Sequence, residues 1–139
     1  MIRYKVVERE NPVTRQKTYF AQVAPVEPVT LEQVVKRIEK SSTVSSADIK
    51  AVLDALQFEV IQSLQDGKSV RLGDLGSFRP TISSRSAESA EAFLPSNIKR
   101  VRVQFSPSGT MLEEMALDRL SIHRMDEAPE EDADQEGGL

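Results

Sequence analysis

Basic side chains in two alternating stretches carry the clearest chemical pattern of this sequence. Lys68–Leu72 (KSVRL) alternates with period two, and Ile98–Phe105 (IKRVRVQF) sets Lys99, Arg100 and Arg102 among apolar residues. A strand directs successive side chains to opposite faces, so Arg100 and Arg102 are expected on one face. Cations in such a row can displace counterions from a polyanion such as a phosphate backbone without reading its sequence.

Catalytic constellations are absent from the sequence. An enzyme needs a nucleophile with a base, a metal set, a phosphate loop or a pair of inward carboxylates. The chain has no cysteine, one histidine (His123) and no G-x-x-x-x-G-K segment. We therefore expect no enzymatic activity, no metal and no cofactor. His123 is expected at the surface near the end of the last helix.

The acidic residues are concentrated at the carboxyl end of the chain. The net charge is -4, but residues 126–139 (DEAPEEDADQEGGL) include seven acidic residues and no basic one. Without those seven, 15 of the 22 acidic residues remain against 18 basic ones, so residues 1–125 carry about +3. Attraction of a ligand depends on where charge lies as well as on its sum, so this chain can still present a basic surface.

Length and hydropathy limit the class of protein. A chain of 139 residues has room for one domain with appendages, and so small a core is marginally stable unless dimerisation or a similar association adds to it. No apolar run approaches the roughly 20 residues that span a bilayer, and the amino terminus alternates charged with apolar residues. We expect a soluble, cytoplasmic protein without a membrane partner.

The first 28 residues are predicted to form a β-hairpin extension. Ile2–Arg9 and Lys17–Val23 are rich in Tyr, Val and Phe, and residues 10–16 between them contain the turn-favouring pair Asn-Pro. Pro25 and Pro28 bracket the segment that follows. We expect this segment to be a short connector, because proline resists helix continuation and cannot donate to a ladder.

Two amphipathic helices are predicted to follow. Thr30 opens a capping box (TLEQ) for a short helix, and Ser45 opens another (SSAD) for a longer helix that ends at Gly67. Phe58 and Ile61 fall off the main apolar stripe of the longer helix. A helix with apolar residues on two faces is normally covered on both sides, which indicates a partner subunit.

The remainder of the chain predicts strands around a polar excursion. Strand 68–72, a turn over 73–76 and strand 77–82 are followed by the polar segment 83–97, which is expected to be extended or mobile. Val101 is one step out of phase with Ile98, which indicates a β-bulge. A capping box at Thr110 predicts a last helix through about Leu120, and the chain beyond Met125 is expected to be disordered.

The order of these elements, with two motifs, resembles the HU/IHF family of histone-like proteins from residue 29 to about 117. Gly67–Phe78 (GKSVRLGDLGSF) resembles the turn that precedes the β-arm of that family, and Phe105–Leu112 (FSPSGTML) resembles the start of its last helix. The added amino-terminal hairpin is similar to that of histone-like variants found in Bacteroidetes.

The resemblance implies an α+β fold with a helical base, a β-sheet and a protruding β-arm, in addition to the hairpin. It implies a homodimer whose two arms contact the minor groove and backbone of double-stranded DNA, in the cytoplasmic nucleoid. The division of the chain becomes a hairpin extension (1–28), an HU/IHF-like DNA-binding domain (29–122) and an acidic disordered tail (123–139). The candidate DNA-binding residues are Lys68, Arg71, Arg79, Arg85, Pro95, Lys99, Arg100 and Arg102.

The candidate arm also departs from the family pattern. An HU arm carries a dense run of basic residues that closes on Arg-Asn-Pro, and its proline wedges between base pairs. In residues 83–97, Arg85 is the only basic residue, and Glu88 and Glu91 are acidic. A wedge normally has basic residues beside it that bind the backbone, so two readings of Pro95 stay open: such a wedge or an ordinary loop proline. Two glutamates near phosphate predict a lower affinity than that of a standard HU and a stronger dependence on salt.

Two functions from different classes follow. The first is architectural DNA binding without sequence specificity, which the fold resemblance and the basic arm roots favour. The second is a protein-interaction module that keeps the HU-like dimer, which the two glutamates and the acidic tail favour; the hairpin is a candidate surface for such a partner.

Overall fold

The computed structural model of the chain describes residues 1–125. By their contacts these residues form two compact units, one made of residues 1–28 and 115–125 and the other of residues 29–114. Among residues 1–125, no helix combines the length and the apolar character that a membrane crossing requires. Most of the predicted acidic tail, residues 126–139, lies outside the described part, and the division of the chain into three segments stays a prediction.

The fold mixes strands and helices, as the predicted α+β class requires. The elements, in chain order, are β1 (Ile2–Glu10), β2 (Lys17–Val23), α1 (Leu31–Ser41), α2 (Ser46–Gln65), β3 (Val70–Arg71), β4 (Gly76–Ser84), β5 (Ile98–Pro107), α3 (Gly109–Glu114) and β6 (Ile122–Arg124). Single 3₁₀ turns cover Pro95–Asn97 and Leu117–Arg119.

The first unit is a sheet with the strand order β2-β1-β6. β1 and β2 are antiparallel, with Tyr4 opposite Val23 and Glu10 opposite Lys17, so the predicted hairpin is confirmed. β6 runs parallel to β1 on its other edge, where Ile2 is the partner of Ile122. β1 is therefore the central strand of this sheet.

The predicted last helix through Leu120 is wrong in its extent. α3 ends at Glu114, a 3₁₀ turn follows, and residues 122–124 form β6, including His123 and Arg124, which we assign to the tail from sequence. Leu117 and Leu120 have helical spacing, but pairing with β1 satisfies the backbone of the segment that follows them. A long-range ladder thus overrides a local periodicity.

Both long helices of the second unit begin where the sequence predicts. The Thr30 hydroxyl accepts a hydrogen bond of 3.3 Å from the Gln33 backbone, and the Gln33 side chain accepts one of 3.0 Å from the Thr30 N–H. At α2, the Ser45 hydroxyl accepts a hydrogen bond of 3.3 Å from the Asp48 backbone. These bonds satisfy donors that a helix start leaves without a partner.

The second sheet has the strand order β3-β4-β5. The predicted strand 68–72 is reduced to Val70–Arg71, because the ladder with β4 covers only those two residues. β4 and β5 form a long antiparallel ribbon in which Phe78 lies opposite Phe105, with ring centroids 5.0 Å apart. This ribbon is the base from which residues 85–97 extend.

A β-bulge interrupts the ribbon near its far end. The register shifts by one residue between Ser83 and Ser84, whose partners are Arg100 and Ile98. Lys99 is therefore the extra residue on β5, and the bulge predicted from the phase of this strand is confirmed.

The start of α3 differs from the prediction. Ser108, and not Thr110, caps the helix, because the Ser108 hydroxyl accepts a hydrogen bond of 3.0 Å from the Met111 N–H. The same hydroxyl donates to the Asp74 carbonyl, and the Thr110 hydroxyl donates to the Asp74 carboxylate at 3.3 Å. The turn before β4 and the start of α3 are thus joined through Asp74.

Gly76 lets the start of β4 lie close against the end of β5. Its φ is +149°, and a Cβ built there would overlap the Ser106 carbonyl oxygen and come within 2.9 Å of the Phe105 ring. A glycine is therefore required at this position by both backbone conformation and space.

The chain buries few apolar side chains. Within residues 1–125 the buried apolar residues are Ala24, Val35 and Ile49. Large apolar side chains of α2 and of the ribbon, including Phe58 (60% exposed) and Val103 (58% exposed), face open space. Such faces occur in a stable protein when another surface covers them.

Candidate nucleic-acid interface

The register of the second sheet sorts its side chains into a polar and an apolar face. Residues opposite one another in a ladder share a face, and the face alternates along each strand. The polar face, here called the arginine face, consists of Arg71, Ser77, Arg79, Thr81, Ser83, Arg100, Arg102, Gln104 and Ser106. The other face consists of Val70, Phe78, Pro80, Ile82, Ser84, Ile98, Val101, Val103 and Phe105.

Four arginines therefore lie on one side of the sheet. Arg102 is the partner of Thr81 and Arg100 is the partner of Ser83, so these two occupy the same face as Arg71 and Arg79. All four are exposed, and no acidic residue belongs to this face of the ladder. An exposed row of guanidinium groups without carboxylates suits a polyanionic ligand.

An open depression of about 360 Å³ lies at the base of the arginine face. It is lined by Ser69, Arg71, Ser77, Arg79 and Ser106. Guanidinium groups bind phosphate oxygens in a bidentate manner, and serine hydroxyls can donate to the same oxygens. The depression therefore offers the donors that a phosphate group needs, at the end of the arginine row nearest the helices.

One arginine of the face is held in place by its neighbour. The Arg79 Nη2 atom donates a hydrogen bond of 2.7 Å to Gln104 Oε1 on the opposite strand. This bond leaves the other N–H groups of the fork available and limits the rotamers of the side chain. Sequence reasoning missed Gln104 and the three serines of the depression.

The remaining basic candidates lie around the edges of the arginine face. Lys68 precedes β3, Lys99 is the bulge residue, and Arg85 follows the end of β4. The Arg85 backbone N–H donates to the Asn97 carbonyl at 2.7 Å, which closes the excursion at its root. All three side chains are exposed. The structure brings together Arg71, Arg79, Arg100 and Arg102 and leaves these three at the periphery.

Pro95 starts a 3₁₀ turn within a compact excursion. The sequence predicts an extended or mobile segment here, and the structure has turns: the Phe93 N–H donates to the Ala90 carbonyl at 3.3 Å, and the Asn97 N–H donates to the Leu94 carbonyl at 2.9 Å. Pro95 is exposed, next to Phe93 (39% exposed) and Leu94 (57% exposed). This geometry fits both an apolar tip and an ordinary loop proline.

His123 lies outside the second sheet. It lies in β6 and not near a helix end, and its Nε2 atom is 2.8 Å from the Ser121 hydroxyl. In the part of the chain that the structure describes, no group of histidine and acidic side chains is arranged to hold a metal ion.

Capped helices, a β3-β4-β5 sheet and a ribbon with an arginine face define an α+β protein of the HU-like class. The chain belongs to the HU-HIG family, whose model, an HU domain fused to a wHTH, Ig or glycine-rich motif, matches residues 1–124. The resemblance inferred from Gly67–Phe78 and Phe105–Leu112 is thereby confirmed. Membership of an HU-domain family agrees with the expectation that the chain is not an enzyme.

Comparison with solved structures gives matches at low sequence identity. A candidate bacterial DNA-binding protein from Bacteroides vulgatus ATCC 8482 has a TM-score of 0.64 and 13% identity over 92% of this chain. The match covers 50% of that protein, so this chain spans half of its length. A point mutant of HU from Thermotoga maritima matches with 18% identity over 63% of this chain and 99% of its own, at a TM-score of 0.48.

The HU of an Anabaena HU-DNA cocrystal matches with 21% identity over 62% of this chain and 96% of its own, at a TM-score of 0.49. No sequence among the curated proteins matches the chain.

Proposed function

We propose that this protein is a homodimeric architectural DNA-binding protein of the nucleoid that binds duplex DNA without sequence specificity. The observation that carries the proposal is the segregation of Arg71, Arg79, Arg100 and Arg102 on one face of the sheet. Arginines on a flat ribbon can reach phosphates but are not organised by a recognition helix to read base edges. Binding is therefore expected to follow backbone charge and groove shape.

The exposed apolar surface supports the homodimer. The side of the ribbon opposite the arginines presents Ile82 (67% exposed), Val101 (63%) and Val103 (58%), and α2 presents Phe58 (60%) and Ile61 (57%). A second copy would cover these residues and supply the core that one copy lacks. In such a dimer the arginine faces of both copies stay free for DNA.

The far end of the ribbon is the proposed DNA-contacting arm. Arg100 and Arg102 lie along the ribbon, Lys99 projects from the bulge, and Arg85 follows β4. Arms of this kind enter a minor groove with basic side chains and can add an apolar wedge, the role that Pro95 would have. Exposed Glu88 and Glu91 in the excursion oppose phosphate and limit affinity.

The experiment is a salt series on duplexes of several sequences with the variant Arg100→Ala/Arg102→Ala. We expect all sequences to lose affinity alike, and the slope of log K against log salt to flatten by about one unit per lost phosphate contact in each subunit. The matched control is Arg37→Ala/Lys40→Ala, which removes two exposed cations from α1 and should leave the slope almost unchanged.

A folded, dimeric Arg100→Ala/Arg102→Ala variant with unchanged affinity and slope would contradict the proposal. That outcome would favour the protein-interaction module, in which the HU-like dimer holds another protein.

A further inference from the structure

The amino-terminal sheet has its own segregation of charge. The ladders of β1 with β2 and with β6 place opposite residues on a common face. One face, here called the hairpin basic face, consists of Arg3, Lys5, Val7, Arg9, Thr18, Phe20, Gln22 and His123. The reverse face consists of Ile2, Tyr4, Val6, Glu8, Glu10, Lys17, Tyr19, Ala21, Val23, Ile122 and Arg124.

Every acidic residue of these three strands lies on the reverse face. Glu8 and Glu10 alternate with the cations of β1, and Glu8 forms a salt bridge of 3.3 Å with Lys17, on the same reverse face. The hairpin basic face keeps Arg3, Lys5 and Arg9 without a carboxylate among the members of its ladder. Successive residues of β1 point to opposite faces, so this strand has a small net charge and yet its only charged side chains on the hairpin basic face are cations.

The hairpin basic face is accessible and partly organised. Arg3, Arg9, Thr18 and Gln22 are exposed, and Lys5 is half-buried. The Arg9 guanidinium lies 5.3 Å from the centroid of the Phe20 ring, which is 48% exposed. Contact with the ring restricts Arg9 before any ligand binds, so less side-chain freedom is lost on binding.

We infer that the hairpin basic face is a second binding surface for the phosphate backbone of duplex DNA, in addition to the arginine face. Arg3 and Lys5 follow each other at the spacing of about 6.8 Å that alternate strand residues have, and Arg9 continues the row, so a repeating polyanion can meet several cations at once. Gln22 borders the row, and its side-chain amide can donate to phosphate oxygens. The Thr18 hydroxyl already donates to the Arg9 carbonyl at 3.3 Å.

A protein partner suits the reverse face better. Tyr19 (64% exposed), Val23 (65%) and Val6 (38%) lie there, and the centre of a protein interface favours aromatic and apolar residues over charged ones. The hairpin basic face has cations in a row with Val7 and Phe20 as its apolar members. Its charge therefore matches a nucleic-acid backbone.

The test compares two charge-matched variants of the full chain in the same salt series. Arg3→Gln/Arg9→Gln removes two cations from the hairpin basic face, whereas Arg15→Gln/Lys17→Gln removes two cations of the hairpin that lie outside it. We expect the first to weaken duplex binding by roughly ten-fold at low salt and to flatten the salt slope by about two units per chain. At about 0.1 M salt the second should change affinity by no more than about two-fold and leave the slope almost unchanged, because a Debye length of about 10 Å screens charges that contact no phosphate.

A third variant separates binding from folding. Arg3→Gln alone leaves the contact between Arg9 and Phe20 intact, and it should flatten the slope by about one unit per chain with an unchanged unfolding midpoint. Equal slopes for the wild type and for both Arg3 variants would overturn the inference. A loss that Arg15→Gln/Lys17→Gln reproduces in full would overturn it as well.

The same measurement in an Arg100→Ala/Arg102→Ala background distinguishes this inference from the proposed function. If the arginine face does not bind DNA, the background variant behaves like the wild type while Arg3→Gln/Arg9→Gln still flattens the slope. If the hairpin basic face does not bind, the reverse holds. Two further measurements show which DNA molecule supplies the phosphates that the hairpin basic face binds. If protein bound to an immobilised duplex captures a free labelled duplex, they come from a second DNA molecule. If the footprint on one duplex is longer, they come from the same molecule.

Discussion

Arg79 on β4 and Gln104 on β5 are joined across the ribbon by a hydrogen bond of 2.7 Å from guanidinium to side-chain amide. Gln104 carries no charge that would attract phosphate, so its contribution is to orient the Arg79 side chain. Replacing Gln104 with leucine removes the acceptor and keeps the size of the side chain. We expect affinity for duplex DNA to fall by about 0.5–1 kcal/mol, or about two- to five-fold, with an unchanged salt slope.

Arg79→Gln is the companion variant, because it removes the cation itself. We expect it to flatten the salt slope by about one unit per chain. The slope therefore distinguishes the loss of a phosphate contact in Arg79→Gln from the loss of side-chain orientation in Gln104→Leu. Fluorescence anisotropy titrations at several salt concentrations measure both quantities. Identical slopes for Arg79→Gln and the wild type would remove Arg79 from the interface.

Gly76→Ala is expected to destabilise the protein strongly. The new methyl group would meet the Ser106 carbonyl and the Phe105 ring, at a φ that L-residues rarely adopt. We expect a loss of at least about 2 kcal/mol in the free energy of unfolding, measured in urea at one protein concentration. Gly109→Ala is the control, because a Cβ there has open space; a similar loss in both variants would contradict this account.

Val103→Asp is expected to prevent dimerisation. Val103 is 58% exposed in one copy, and in the proposed dimer its face is covered, so the variant would bury an unpaired carboxylate at about 3–5 kcal/mol per copy. Sedimentation should show the wild type at twice the chain mass of 15.5 kDa and the variant as a monomer or unfolded chain. Val13→Asp, at a side chain that is 89% exposed, should stay dimeric. A Val103→Asp variant as dimeric and stable as the wild type would argue against the second copy.

Truncation after Met125 is expected to tighten DNA binding. It removes seven acidic residues that compete with phosphate for the basic surfaces. The gain should be largest at low salt and fade as salt rises, because screening weakens the competition. Replacing the seven acids with their amides at full length should have the same effect. Equal affinities of full-length and truncated protein at low salt would exclude a role for the tail.

Local signals made much of this fold predictable. The hydroxyls of Thr30 and Ser45 cap the helices that they were expected to cap, because capping depends on three or four consecutive residues. The phase error between Ile98 and Val101 likewise predicted the bulge at Lys99, since alternation is a property of one strand. The grouping of Arg100 with Arg102 follows from the same alternation.

Features that depend on distant residues were not predictable. Ser108 caps α3 in place of Thr110 because the Asp74 carbonyl, on a turn far away in sequence, accepts from its hydroxyl. Ser77 and Ser106 join the arginine face only through the register of two strands. A serine has no pattern of its own, so its place in a site appears only when the ladder is known.

The parallel pairing of β6 with β1 has a consequence for synthesis on the ribosome. Ile2 pairs with Ile122, so the edge of β1 that pairs with β6 has no partner until about 120 further residues have been made. At typical rates of translation that delay is on the order of ten seconds. During it, the backbone groups of β1 on that edge are open to pairing with another nascent chain. Arg3 and Lys5 lie on this stretch, and charged side chains are what natural strands use to discourage such pairing.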